Sequence, residues 1–168
     1  MIQKKICMLG TSGVGKTSLV ERFVNDSFSE KYLTTVGVRL SNKIVEIGEQ
    51  AIELVLWDLN GEDKFQRVST SYLRGASAYF LVIDGSRPAT EETALVLHRR
   101  TRATIGDVPF IILLNKSDLS NEWEVSQEML DRYDSNDWVA RRTSARTGEG
   151  VQSAFQEIAQ LALTSTLS

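Results

Sequence analysis

The sequence predicts a doubly wound α/β fold of about six strands, mostly parallel, with one antiparallel edge strand and helices on both faces. Three observations carry this. Apolar runs alternate with amphipathic stretches from one end of the chain to the other, and no linker interrupts them. Lys5–Leu9, Ala78–Asp84 and Phe110–Leu114 are near-continuous hydrophobic runs, as central parallel strands covered on both sides require. Lys43–Gln50 followed by Ile52–Leu56 reads as a hairpin turning at Gly48, which places one antiparallel pair at an edge.

Taken in order, the first strand, Lys5–Leu9, runs through a glycine-rich turn into a helix over Lys16–Asn25 with apolar Leu19, Val20 and Phe23 on one side. Strands follow over Val38–Ile47 and Ile52–Asp58, then a helix over Phe65–Arg74 and a strand over Ala78–Asp84. Pro88 suits the first turn of the next helix, Ala89–Ile105, where its missing N–H matters least. His98 is expected on the exposed side of that helix, and Trp123 and Trp138 as packing residues. The strand Phe110–Leu114, a helix over Glu124–Arg132, the strand Trp138–Arg142 and a helix over Val151–Leu163 complete the pattern. Residues 1–168 are expected to form one domain.

With 42% hydrophobic and 24% charged residues, the composition argues against disorder and fibrous repeats. A net charge of −3 gives no electrostatic reason to expect nucleic acid as a partner. The clusters Arg99, Arg100, Arg102 and Arg141, Arg142 read as a solvated helix face and an edge strand. A single cysteine, Cys7, lies in an apolar run, so no disulfide forms within the chain, which fits a reducing, cytoplasmic setting. No run approaches a membrane span, and the tail Leu161–Ser168 carries neither a terminal cysteine box nor a basic cluster, so no membrane anchor is expected from it.

Gly10-Thr11-Ser12-Gly13-Val14-Gly15-Lys16-Thr17 stands between the first strand and the first helix. In that setting it is a P-loop: its glycines turn successive N–H groups inward, the helix start adds its positive end, and Lys16 adds a point charge. The product is a nest for phosphate. The hydroxyl of Thr17 is placed to ligate Mg²⁺ bridging the outer phosphates. A glycine-rich turn that merely precedes a lysine is the competing reading, and the strand–loop–helix context weighs against it.

The base contact comes from Asn115-Lys116-Ser117-Asp118, after the fifth strand. A carboxylate at Asp118 can accept two hydrogen bonds from the N1–H and exocyclic amine of guanine; adenine offers no such donor pair on that edge. Asn115 can brace the loop, and the Lys116 stem can lie along base and sugar. The same residue types are ordinary turn formers, and only their position downstream of a P-loop favours the base-reading role. Ser144-Ala145-Arg146, before the last helix, offers a further backbone N–H for the guanine oxygen.

Three further places are suited to sensing a terminal phosphate. Asp58, at the end of the third strand, can hold Mg²⁺ through water or cap the helix that follows, and Gly61 can present its bare N–H to the phosphate. Thr35, in Tyr32–Val38, can complete the metal shell only while the triphosphate is present, so that its release would free the loop. Phe28 can cover the guanine ring edge-on or pack at the end of a helix.

Over nearly its whole length the chain resembles the Ras superfamily, and within it the Rab-like members. The resemblance rests on Gly10–Thr17, Thr35-Val36-Gly37-Val38, Trp57-Asp58 with Gly61, Ser71-Tyr72-Leu73-Arg74-Gly75-Ala76, Asn115–Asp118 and Ser144–Arg146. It implies a P-loop NTPase of the Ras-like G-domain type: a monomeric small GTPase that binds GTP or GDP with Mg²⁺ and acts as a switch. Exchange factors, GTPase-activating proteins and effectors that read the segments around Thr35 and Gly61 are the implied partners. The implied nucleotide-binding set is Ser12, Gly13, Val14, Gly15, Lys16, Thr17, Ser18, Phe28, Asn115, Lys116, Asp118, Leu119, Ser144, Ala145 and Arg146; the metal set is Thr17, Thr35 and Asp58. Gly61, Glu62, Lys16 and Thr35 are the catalytic candidates. Leu40, Trp57 and Tyr72 are candidates for an apolar effector patch, with sheet core as the competing role.

The chain departs from this family where turnover is decided. Glu62 stands where glutamine is usual after the glycine, and Asn60 replaces a customary alanine. Glutamine can donate to a phosphate oxygen and accept from the attacking water; an ionised glutamate only accepts, and adds charge beside an anion. Slow intrinsic hydrolysis is therefore expected. A GTP-loaded binding module that scarcely hydrolyses is the alternative, and a metabolic P-loop kinase or ATPase is disfavoured by Asn115–Asp118.

Overall fold

The computed structural model describes residues 1–26, 37–60 and 70–165. Its strands are β1 (Ile2–Leu9), β2 (Gly37–Ile47), β3 (Gln50–Asn60), β4 (Ala78–Asp84), β5 (Phe110–Asn115) and β6 (Ala140–Arg142). Its helices are α1 (Lys16–Asn25), α2 (Thr70–Leu73), α3 (Ala89–Ile105), α4 (Gln127–Ser135) and α5 (Val151–Ser165). The strands form one mixed sheet in the order β2-β3-β1-β4-β5-β6. Only β2 and β3 pair antiparallel; the other neighbours are parallel. The expected hairpin closes with Ile47 opposite Gln50, and Gly48 turns it at φ 63°.

Alternation along the strands sorts their side chains into two layers. Ile6, Met8, Phe80, Val82, Ile111 and Leu113 pack with α1 and α5. Cys7, Leu9, Tyr79, Leu81, Ile83, Ile112 and Leu114 pack on the other face with α2, α3 and α4. A period of two along a strand makes this division unavoidable once both faces are covered. Phe23 of α1 stacks on Phe155 of α5 with ring centroids 4.1 Å apart, and Phe155 meets Phe80 edge-on at 4.8 Å. Burying each such ring contributes roughly 1.5–3 kcal/mol, which fixes α1 against the sheet and hence the loop that precedes it. Cys7 is fully buried, and burial pushes its thiol up to about 12.

Several elements depart from their expected limits. β1 starts at Ile2, because Ile2–Lys4 pair with Ile52–Leu54 of β3. The helix α4 begins at Gln127 rather than Glu124: Ser126 caps it, its Oγ accepting from the Met129 N–H at 3.2 Å. Of the helix expected over Phe65–Arg74, Thr70–Leu73 is seen, and residues 65–69 lie outside the described residues. β6 is shorter than expected, at Ala140–Arg142.

His98 corrects the expectation of an exposed side chain. It is buried on the stripe Thr90, Ala94, Leu97, His98, Thr101 that α3 turns to the sheet. Its Nδ1 lies 2.8 Å from the Tyr79 hydroxyl, and its ring touches Phe110 and Trp138. Helical spacing put this residue inward, and its polarity disguised it. Tyr72 is likewise core, with its hydroxyl donating to the carbonyls of Met8 and Trp57. Leu40, opposite Trp57 across the hairpin, is 57% exposed.

Candidate functional site

The carboxyl ends of the parallel strands face one edge of the sheet, and strand order reverses on either side of β1. A crevice forms there in any doubly wound sheet. The residues at that edge are the loop Gly10–Thr17 after β1, Asp58 near the end of β3, Asp84 ending β4, Asn115 ending β5 and Thr143-Ser144 after β6. Five segments far apart in sequence thus supply one site.

The loop after β1 is held open by backbone that only glycine tolerates well. Gly15, at φ 102°, lies under Asn115: a Cβ there would sit 2.3 Å from Asn115 Nδ2. Gly10 is equally confined, with Val82 O at 2.6 Å from a Cβ. Val14 is buried between them, Ser18 is buried, and Ser12 and Gly13 are exposed at the lip. Lys16 is 6% exposed, and its Nζ donates to the Gly10 carbonyl across the loop. Its charge is therefore held inside the curl of backbone where a phosphate would sit.

The fold brings Thr17 and Asp58, two of the metal-site candidates, into contact. Thr17 Oγ1 donates to Asp58 Oδ2 at 2.6 Å. Asp58 is 1% exposed, and among the described residues its buried Oδ1 has no hydrogen-bond partner. Burial raises its proton affinity above the ordinary range, against the pull of the Thr17 hydroxyl, Lys16 and Arg39. An orphaned carboxylate oxygen beside a hydroxyl is a donor set suited to a hard divalent cation. Among the described residues no three His, Cys, Asp or Glu side chains cluster as a metal cage.

Asn115 is the hub of the base loop. Its Nδ2 donates to Val14 O at 2.9 Å, and its Oδ1 accepts from Thr143 Oγ1 at 3.1 Å. One buried amide thereby locks the phosphate loop to the loops after β5 and β6. Lys116 adopts φ 71°, an uncommon conformation for a side-chain-bearing residue. Its Nζ lies 3.0 Å from Asp84 Oδ2. Asp118 is half-buried, and its Oδ1 accepts from Ser144 Oγ at 2.8 Å. Ser117 donates to Glu149 at 2.9 Å, and Leu119 closes the turn by donating to the Lys116 carbonyl. Ser144 and Ala145 are buried, while Arg146 is exposed.

Two positioning residues escaped the sequence reading. Arg22 of α1 donates through Nε to Ala145 O at 2.8 Å and through Nη2 to Arg146 O at 2.6 Å, fixing Ala145 and Arg146 by their carbonyls. Asp84 is 1% exposed and gathers Ser86, Arg87 and Lys116. Burial pushes its proton affinity up, but those hydrogen bonds outweigh it, and the carboxyl stays below the ordinary range. A carboxylate ending a hydrophobic strand was the available signal; the register that sets it beside Asn115 comes only with the structure. Phe28, Thr35, Gly61 and Glu62 lie outside the described residues.

A P-loop bolted to a strand-end Asn-Lys-Ser-Asp loop on a sheet of this order defines a P-loop domain of the Ras-like kind. Residues 5–164 match the model of the Ras family. The chain is 34% identical over 166 residues to Ras-related protein Rab7 of Drosophila melanogaster, covering 95% of this chain and 80% of that one. It is 32% identical over 161 residues to Ras-related protein Rab-10 of Caenorhabditis elegans, with the same coverage. Against human Ras-related protein Rab-4B the identity is 33% over 162 residues, 95% of this chain and 76% of that one. The chain belongs to the Ras family and is a Rab-like small GTPase. Members of this family bind guanine nucleotides and act as molecular switches. Among the described residues no helix is long and apolar enough to cross a membrane.

Proposed function

We propose that this chain, residues 1–168 acting as one switch domain, binds GTP and GDP with Mg²⁺ and hydrolyses GTP slowly. In this reading Asp118 accepts from the guanine N1–H and amine, and Ser144–Arg146 supply an amide to the guanine oxygen. Lys16 and the amides of Ser12–Ser18 take the phosphates, with Leu119 lining the base loop and Phe28 covering the ring. Thr17 and Thr35 are the direct metal ligands, Asp58 a ligand through water, and the cation would neutralise charge on the outer phosphates. Effectors, an exchange factor and a GTPase-activating protein are the partners this reading needs. The observation that supports it is the Asn115 amide joining Val14 to Thr143, next to the Ser144 that donates to Asp118, so that the phosphate loop and the proposed base loop are tied together.

Glu62, after Gly61, is the reason for slow turnover. An anionic side chain there accepts from water but has no proton for the phosphate. It also motivates a second reading, a module that stays loaded with GTP and hydrolyses almost none of it. Single-turnover phosphate release from preloaded protein tests both: Glu62→Gln should release phosphate several-fold faster, by analogy with the positioning role of glutamine in this chemistry. An unchanged or slower rate in Glu62→Gln removes Glu62 as the cause. No phosphate from wild type over many hours favours the loaded module.

A further inference from the structure

Asp84 is a buried carboxylate with two cations on it. Its Oδ2 receives Arg87 Nε at 2.9 Å and Lys116 Nζ at 3.0 Å, while Ser86 binds Oδ1 through both its N–H, at 2.9 Å, and its hydroxyl, at 2.6 Å. Among the described residues one negative charge therefore faces two positive ones, and the cluster is left with a surplus cation. That surplus is directed at the phosphate loop. Arg87 Nη2 reaches the Ser12 carbonyl at 3.4 Å and lies 3.1 Å from where a Cβ on Gly13 would be. The Arg87 side chain is half exposed, whereas Asp84 beneath it is 1% exposed. Clamped at Nε, the guanidinium has its rotamers restricted before any ligand arrives, and its outer N–H groups stand at the lip of the nest.

We propose that Arg87 is a phosphate-binding residue, an arginine supplied in cis from the turn between β4 and α3 that adds a positive charge to the polyphosphate from the outer side of the P-loop. This deepens the guanine-nucleotide reading and rests on it. Lys16 grips the phosphates from within the curl; Arg87 faces them across Ser12 and Gly13. A fixed guanidinium contributes to holding an anion without reorganisation, and its effect falls mainly on dissociation. Because Lys116 shares the same carboxylate, the base loop and the phosphate lip are also held by one buried anchor.

The test is the dissociation rate of fluorescent GDP from wild type, Arg87→Gln and Arg87→Lys across a salt series. Each variant is first checked by circular dichroism and thermal unfolding in the nucleotide-bound form. Arg87→Gln should release GDP about five- to tenfold faster at low salt, a charge-assisted contact discounted for partial exposure. Its rate should also depend less on salt, because one screened attraction is gone. Arg87→Lys, which keeps the charge, should retain most of the wild-type salt dependence. Unchanged release from Arg87→Gln overturns the proposal. So does faster release with the wild-type salt dependence intact, which makes Arg87 a brace for the Ser12 carbonyl. If wild type fails to retain guanine nucleotide, the guanine-nucleotide reading itself falls and takes this inference with it; if wild type retains it and the variants match wild type, this inference alone fails.

Discussion

Asp58→Asn should make the nucleotide-free, Mg²⁺-free protein more stable while removing its response to Mg²⁺. The carboxylate is 1% exposed, and among the described residues Thr17 donates to its Oδ2 while its Oδ1 has no partner. A buried polar atom left unpaired costs about 1–3 kcal/mol, and more when charged. Asparagine keeps an oxygen for Thr17 and removes the charge, but leaves an unpaired amide in place of Oδ1. The net gain should be about 1 kcal/mol, a rise of about 2–4 °C in Tm for a domain of this size. The sign with pH follows from the raised proton affinity of Asp58. Its relative stability is present below the ordinary 3.8 and is lost as pH rises through the higher folded value, so the advantage of Asp58→Asn is largest at neutral pH and vanishes in acid. With GDP and Mg²⁺ the order reverses, since a ligand at about a hundred times its dissociation constant adds about 2.7 kcal/mol to whichever protein binds it. Differential scanning fluorimetry of both proteins, with EDTA and with Mg²⁺-GDP at several pH values, reads all of this. An Asp58→Asn protein less stable than wild type in EDTA at neutral pH refutes the reasoning.

Gly15→Ala should lose stability and nucleotide together. Its Cβ would sit 2.3 Å from Asn115 Nδ2 at φ 102°, so about 1–3 kcal/mol of strain adds to a broken Asn115–Val14 bond; a urea midpoint equal to wild type contradicts this. His98→Gln should narrow its stability deficit in acid. Burial, then the charges of Arg102 and Arg99, lower the proton affinity of His98, so its contribution is full above the ordinary 6.5 and is lost as pH falls through the lower folded value. Urea unfolding at pH 7.5 and pH 5 should show the gap shrinking, and a constant gap would mean that the imidazole is not buried neutral.

The parts of this molecule that use local chemistry were legible in the sequence. Gly10–Thr17 must follow a strand and open a helix, and Gly48 must turn a hairpin, because each is dictated within a few residues. The central strands could be read because both their faces are apolar. Relations set by tertiary placement could not. That Asn115 reaches back to Val14, or that Arg22 on a helix surface holds the carbonyls of Ala145 and Arg146, follows only once the sheet order is known. Asp84 read only as the end of the strand Ala78–Asp84, and the register beside Asn115 is what shows it at the site. His98 was misjudged by chemistry rather than geometry: the stripe it belongs to on α3 contains Thr90 and Thr101 as well, so polarity hid a correct helical period. At α4 the cap at Ser126 outweighed the amphipathic pattern that extends back to Glu124.

The account depends above all on a guanine-reading carboxylate held at fixed distance from a phosphate nest. Protein stripped of nucleotide and refilled with Mg²⁺ and fluorescent GDP should give up its label to unlabelled GDP but not to a thousandfold excess of ADP. Displacement by ADP at concentrations comparable with GDP, or no retention of either, would contradict it.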